Sequence, residues 1–285
     1  MKPAAFRYHA PKTVDEAVAM LAELAPQDGR VLAGGQSLVP TMAFRLARPA
    51  HLIDINGVEA LNRLAVEGGK LVIGACVRHA AFHRPVCDGP LGKLLSEVVR
   101  HIAHFPIRNR GTFCGSLAHA DPASEWALVL AALDGEVLGK SARGERVVAA
   151  RDFFQGIMTT ALSDDELLAE ARLPVLAAGT RCGFYEFNRR AGDFALAAAL
   201  ATYRIEGGKI VEPRVALGGV EVSPRRIAEA ERALAGAEPG DTAFRAAAAA
   251  AAAVVDPMED IVNTAEFRRD LVLAVTRRAL ERAAK

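Results

Sequence analysis

Two short glycine loops constrain this chain more than any other feature. Ala33-Gly34-Gly35-Gln36-Ser37 lies where the strand-like Val31-Leu32-Ala33 runs into a turn. Gly111-Thr112-Phe113-Cys114-Gly115-Ser116 follows Arg108-Asn109-Arg110. Glycine frees the backbone for φ > 0 and lets a ligand approach with no Cβ in the way. Successive N–H groups in such a turn make a nest for an anion, to which Ser37 adds a hydroxyl. One such loop is an ordinary turn. Two in one folded unit, each able to hold one end of a diphosphate, set a dinucleotide site beside the reading as plain turns. The pattern is not the G-x-G-x-x-G that opens a helix in a βαβ unit, and no Gly-Lys-Ser/Thr makes a P-loop.

The 285 residues suit one large or two to three small domains, and an apolar fraction of 51% supports a substantial core. Lys and Arg number 35 against 34 Asp and Glu, which argues against nucleic acid or an anionic membrane as partner. No apolar run approaches the ~20 residues of a spanning helix, and the N-terminus lacks a signal-like apolar stretch, so a cytoplasmic setting is expected. Cys76, Cys87, Cys114 and Cys182 are scattered with no C-x-x-C pair, unlike zinc or iron–sulfur ligands. They read as small hydrophobes, and no metal is expected on this chain. His101 and His104 share a helical face, with His119 and Asp121 nearby, but a surface or core role outweighs a metal site. Arg100, Arg108 and Arg110 could face solvent, a diphosphate or an acidic partner.

Thr13 with Glu16 reads as a capping box opening a helix whose apolar stripe is Val14, Ala17, Val18, Leu21 and Leu24. Strands are expected at His51–Ile55 and Lys70–Gly74. A helix is expected over Leu91–His104, stopped by Pro106, then another at Trp126–Leu133 and a strand at Glu136–Leu138. A domain boundary falls near Leu173-Pro174. Beyond it come strands at Cys182–Phe187, Ala201–Glu206 and Val215–Gly219, with Gly207-Gly208 as a hairpin turn. Two long helices close the chain. The first carries Ala246 to Ala253, and the second, from Thr264 to Ala284, has Phe267, Leu271, Val275 and Leu280 along one side.

The two loops, with Arg108-Asn109-Arg110-Gly111-Thr112-x-x-Gly115-Ser116-Leu117-Ala118-His119-Ala120-Asp121-Pro122, resemble the FAD-binding medium subunit of molybdenum hydroxylases. These are flavoproteins of the carbon monoxide dehydrogenase and xanthine dehydrogenase type. The likeness continues through Leu173-Pro174, Tyr185-Glu186, Arg189-Arg190-x-Gly192-Asp193-Phe194-Ala195, Ala216-Leu217-Gly218-Gly219-Val220 and Thr264-Ala265-Glu266-Phe267-Arg268-Arg269. It implies an α+β fold: a two-lobed PCMH-type FAD-binding domain, then a smaller α/β C-terminal domain of the carbon monoxide dehydrogenase flavoprotein type. The lobes would be residues 1–57 and 58–175, and the last domain 178–282.

By the same resemblance, Ala33, Gly34, Gly35, Gln36 and Ser37 grip the diphosphate together with Thr112, Cys114, Gly115 and Ser116, and Leu32 and Leu38 flank the first loop. Glu125 would hold a ribose or ribityl hydroxyl, Ile102 and Ile107 would lie near the adenine, Tyr185 would lie by the isoalloxazine ring, and Leu173 would also be cofactor-binding. One of Arg189 and Arg190 would face it. Where the family has Gly-Gly this chain has Cys114-Gly115: a positive φ there would strain a cysteine, and an ordinary φ would tolerate it beside FAD. The cysteine-rich insertion of the benzoyl-CoA reductase branch is missing.

The implied activity is that of an oxidoreductase subunit with no catalytic acid, base or nucleophile of its own. FAD would pass electrons from [2Fe-2S] clusters on a small partner subunit to NAD, quinone, cytochrome or oxygen. Molybdopterin would sit on a large partner subunit, in a dimer of heterotrimers (a heterohexamer). The alternatives are a stand-alone FAD-dependent oxidase or dehydrogenase with substrate bound over the flavin, and a flavin-free scaffold.

Overall fold

The computed structural model describes residues 2–285, which form three larger sheets and one two-stranded hairpin, with helices packed against them. The first comprises strand β1 (Arg7–His9), helix α1 (Val14–Leu24), strand β2 (Gly29–Leu32), helix α2 (Leu38–Ala43) and strand β3 (His51–Asp54). Its strands are parallel in the order β1-β3-β2, with His51 paired to both Arg7 and Gly29. The capping box forms: Thr13 accepts from the Glu16 N–H at 3.1 Å, and the Glu16 carboxylate accepts from the Lys12 N–H at 2.7 Å. Ala17, Val18, Leu21 and Leu24 are buried as the stripe requires.

The second unit runs through β4 (Leu64–Glu67), β5 (Lys70–Gly74), α3 (Gly89–Val98), α4 (Phe105–Arg108), α5 (Phe113–His119), α6 (Glu125–Ala132), β6 (Glu136–Ser141), β7 (Gly144–Ala149), α7 (Ala150–Phe153), the small hairpin β8 (Phe154–Gly156) and β9 (Thr159–Thr160), and β10 (Leu167–Pro174). Its antiparallel sheet has the order β4-β5-β10-β6-β7, so the last strand in sequence is the central one. The helix expected over 91–104 ends at Val98 instead. Ala103 takes a φ of +39°, and Pro106 opens α4 rather than stopping α3. A proline lacking its N–H is at home in a first helical turn. Every residue of α6 after Glu125 is buried, because that helix packs against α5, α7 and the strands of the sheet that follows.

The third unit comprises β11 (Arg181–Phe187), β12 (Ala197–Glu206), β13 (Lys209–Gly218), β14 (Arg225–Arg226), α8 (Ala228–Leu234), α9 (Asp241–Val254) and α10 (Ala265–Ala283). The sheet is antiparallel in the order β11-β12-β13-β14, and Gly207 and Gly208 turn the β12–β13 hairpin with positive φ. Strand alternation sends Phe184, Ala198, Leu200 and Ala216 into the core shared with α6. It sends Ala197, Ala199, Ala201, Tyr203, Val215 and Leu217 against α8, α9 and α10. In α10 the buried side holds Leu271, Val272, Val275, Ala279 and Leu280, whereas Phe267 is 41% exposed and off the stripe.

Candidate functional site

The two glycine loops meet backbone to backbone. A Cβ on Gly34 would lie 2.4 Å from the Arg110 carbonyl oxygen and 2.6 Å from the Gly111 Cα. Gly35 adopts φ +70°, and a Cβ there would meet the side chains of Leu32 and Val39, not backbone. Leu32, Ala33, Gln36, Ser37 and Leu38 are half-buried around this turn. Gln36 donates from Nε2 to the Gly34 carbonyl at 3.0 Å, and the Ser37 carbonyl accepts from the Thr41 N–H and hydroxyl. Among the described residues, none of the backbone N–H groups of residues 34–37 has an acceptor. Four successive unpartnered donors are what an anionic group in the turn needs.

The second loop is tied to the segment before it. His79 donates its N–H to the Gly111 carbonyl and Phe113 to the Val77 carbonyl, each at 3.0 Å. Thr112 is buried and caps α5: its hydroxyl accepts from the Gly115 N–H at 3.0 Å. Gly115 and Ser116 remain half-buried in the first turn of α5. Cys114 has ordinary helical φ, which removes the strain a positive value would bring. Its thiol, however, is buried and donates to the Ile73 carbonyl at 3.4 Å, with burial pushing its pKa well up. The side chain therefore serves the core and turns away from the loop surface.

His79 supports this loop from behind. The Trp126 indole donates to His79 Nδ1 at 2.9 Å, so in the neutral ring the proton sits on Nε2. Nε2 lies 2.5 Å from where a Cβ of Gly111 would be, which accounts for glycine at 111. Burial, reinforced by the charges of Arg78 and Arg108, holds the imidazole pKa down to about 4.

Glu125 opens α6, which Ser124 caps by accepting from the Ala127 N–H. Burial and then the carboxylate of Glu186 push the Glu125 carboxyl up to about 8. Glu186 is itself buried, with one oxygen near His101 Nδ1 (3.4 Å) and Asn188 Nδ2 (2.9 Å) and the other without a partner. Ile102 is buried in the turn after α3 and Ile107 half-buried in α4, whose carbonyl accepts from the Gly111 N–H at 2.8 Å.

Two expected residues are not brought to these loops. Leu173 is fully buried in β10 with its Cδ2 against Gly135, a core position. Tyr185 points to the helix-covered face of its sheet. Its hydroxyl accepts from Arg278, and the Arg278 and Arg282 guanidinium groups lie 4.9 and 4.7 Å from its ring centre. Its neighbours Phe184 and Glu186 face the other way, as strand alternation demands.

Phe194 is 69% exposed in the loop between β11 and β12. It borders a cavity of about 580 Å³ with Asp121, Pro122, Arg189 and Gly192, and Arg190 is not among the lining residues. The Gly192-Asp193-Phe194-Ala195 run marks this loop in the sequence. Among the described residues, no group of three His, Cys, Asp or Glu is placed to hold a metal ion, and no helix is long and apolar enough to cross a membrane.

Comparison with known proteins matches this arrangement along its length. Residues 4–176 match the FAD binding domain in molybdopterin dehydrogenase, and residues 183–283 the CO dehydrogenase flavoprotein C-terminal domain. The chain is 38% identical over 283 residues to the nicotine 6-hydroxylase medium subunit of Paenarthrobacter nicotinovorans, covering 99% of each chain. It is 39% identical over 285 residues to caffeine dehydrogenase subunit beta of Pseudomonas sp. strain CBB1, covering 100% of this chain and 96% of the relative. It superposes on the carbon monoxide dehydrogenase chain from Hydrogenophaga pseudoflava with a TM-score of 0.95 at 38% identity, covering 100% of this chain and 99% of that one. On quinoline 2-oxidoreductase from Pseudomonas putida 86 the TM-score is 0.93 at 36% identity, with the same coverage. The chain therefore belongs to the FAD-binding medium-subunit family of the molybdopterin dehydrogenases, as an oxidoreductase subunit of the carbon monoxide dehydrogenase flavoprotein type.

Proposed function

We propose that this chain is the electron-transfer subunit of a heteromeric molybdenum hydroxylase. It takes electrons from [2Fe-2S] clusters on a small partner subunit and delivers them to an external acceptor, while molybdopterin on a large subunit acts on substrate. The reading is of a cytoplasmic dimer of heterotrimers, with residues 1–57 and 58–175 as the two flavin lobes and 178–282 as the last domain. The observation that carries it is the junction of the two glycine loops with its four unpartnered N–H groups. FAD supplies the redox chemistry. The chain's own residues bind and orient it. The turn at Gly34, Gly35, Gln36 and Ser37 and the loop at Thr112, Gly115 and Ser116 hold the diphosphate. Glu125 accepts from a sugar hydroxyl, and Phe194 offers a π face to the ring system.

The near-equal likeness to subunits of nicotine, caffeine and carbon monoxide enzymes, at 36–39% identity, supports a role that does not choose the substrate. The test is reconstitution with FAD and the two partner subunits. Substrate added to the complex should bleach the flavin absorbance, and the chain with FAD alone should leave it unchanged. Turnover of substrate by the isolated flavinylated chain would instead favour a stand-alone oxidase.

Glu125→Ala should weaken FAD retention by about 1–3 kcal/mol, or roughly 5–150-fold in Kd, the cost of losing a charge-assisted hydrogen bond. Fluorescence titration of the apoprotein measures this directly. An unchanged Kd would show that the carboxylate does not touch the cofactor.

A further inference from the structure

We propose that Asn56 and Arg78 are positioning residues, forming a brace that fixes the spacing of the two glycine loops so that both can grip one diphosphate. The proposal rests on the FAD-binding reading above. The brace begins at the end of β3. Asp54 accepts from the Tyr8 hydroxyl at 2.5 Å and from the Asn56 N–H at 2.9 Å, which fixes the turn carrying Asn56. Asn56 then donates from Nδ2 to the carbonyl of Ala33, in the first loop, at 2.7 Å. Its other amide atom, Oδ1, accepts from the Arg78 guanidinium, and a second nitrogen of that guanidinium donates to the carbonyl of Arg110, in the second loop.

The Arg110 carbonyl is the oxygen that leaves Gly34 no room for a Cβ. The brace and the loop contact therefore share one atom. Two side chains link Ala33 to Arg110 across sequence-distant turns, leaving the N–H groups of 34–37 free on the ligand side.

The electrostatics agree with this role. Among the described residues Arg78 forms no ion pair, and its two acceptors, the Arg110 carbonyl and Asn56 Oδ1, are neutral. A half-buried guanidinium held by neutral acceptors retains its full positive charge beside the loops, where a diphosphate would benefit from it. Arginine's planar fork can reach Asn56 and Arg110 together, whereas lysine is a point charge that cannot span both.

The experiment is a double-mutant cycle on the full chain, read as FAD Kd by fluorescence titration with the apoprotein melting temperature beside it. Arg78→Ala should raise Kd about 100-fold and Asn56→Ala about 10-fold, while Asn56→Ala/Arg78→Ala is no worse than Arg78→Ala, because one linkage is cut once or twice. Arg78→Lys should fail to restore wild-type affinity. Additive losses, full rescue by lysine, or unchanged Kd values would each overturn the brace. If Arg78→Ala does not fold, Asn56→Ala and Arg78→Lys carry the test. A wild-type chain that binds no FAD would overturn the cofactor reading itself, an outcome distinct from any pattern among the variants.

Discussion

Gly34→Val is expected to abolish FAD binding, with a rise in Kd of at least about 100-fold. The new Cβ would stand 2.4 Å from the Arg110 carbonyl oxygen and 2.6 Å from the Gly111 Cα, both backbone atoms that no rotamer change can move. Relief requires the loops to separate, and separation destroys the cradle that either loop alone cannot supply. Ala33 packs against the core to which Phe113 and Cys114 belong, so a lowered melting temperature should accompany the lost binding while the rest of that core keeps the chain folded. Gly35→Ala is the informative comparison. Its Cβ meets only the ends of Leu32 and Val39, and its cost is the left-handed backbone at φ +70°, about 1–2 kcal/mol. Gly34 substitutions should therefore cost far more affinity than Gly35 substitutions of the same size. Equal effects at the two positions would show that backbone conformation, and not contact between the loops, makes the site.

The sequence singled out Gly34 and Gly35 together because both lie in one loop, but only the fold separates their roles. Contact with residue 111 is a tertiary fact, whereas a requirement for φ > 0 is local. The same division runs through the chain. The Thr13–Glu16 capping box, the Gly207-Gly208 hairpin and the stripe of α1 were legible because each depends on residues a few positions apart. Strand β10 was read only as a domain end, since nothing local says that residues 167–174 will enter the sheet between β5 and β6.

Pro106 opens α4 and does not stop α3, because α3 already ends at Val98 and the positive φ of Ala103 turns the chain before the proline. Alternation in β11 showed that Tyr185 must oppose Phe184 and Glu186. It could not say which face meets the flavin domain, because both faces of that sheet are covered. Asn56, Arg78 and His79 carried no sequence signal for the site. Each acts by linking segments distant in the chain: Arg78 and Arg110 are 32 positions apart.

The pH dependence of stability should show two opposed slopes, one from His79 and one from Glu125. His79 is held near 4 in the folded chain against 6.5 when unfolded, so the unfolded state gains the proton first as pH falls. Its contribution is complete above 6.5 and is lost between 6.5 and about 4, amounting to about 3 kcal/mol. Glu125 does the reverse. With its folded value raised to about 8 from 4.5, its contribution is complete below 4.5 and is lost as pH climbs to about 8, at roughly 5 kcal/mol. Between 4.5 and 6.5 the slopes largely cancel in the wild-type apoprotein, and above 6.5 only the Glu125 decline remains.

Glu125→Gln should remove that decline and uncover a stability that rises from pH 4 to 6.5 and then stays level. His79→Asn should leave a steady fall from 4.5 to 8. Asp165, Glu166 and Asp260, held low by hydrogen bonds from Arg143, Arg146 and Asn263, titrate in every variant and cancel in the differences. Urea unfolding across this range reads both slopes. A Glu125→Gln profile that parallels wild type would show that the carboxyl does not titrate there. The same group links stability to cofactor. If a sugar hydroxyl donates to ionised Glu125, binding expels a proton, so FAD affinity must tighten as pH rises toward 8 and level off above it. Glu125→Gln should flatten that dependence while Phe194→Ala leaves it intact. A pH-independent wild-type Kd would place the cofactor's hydroxyls elsewhere.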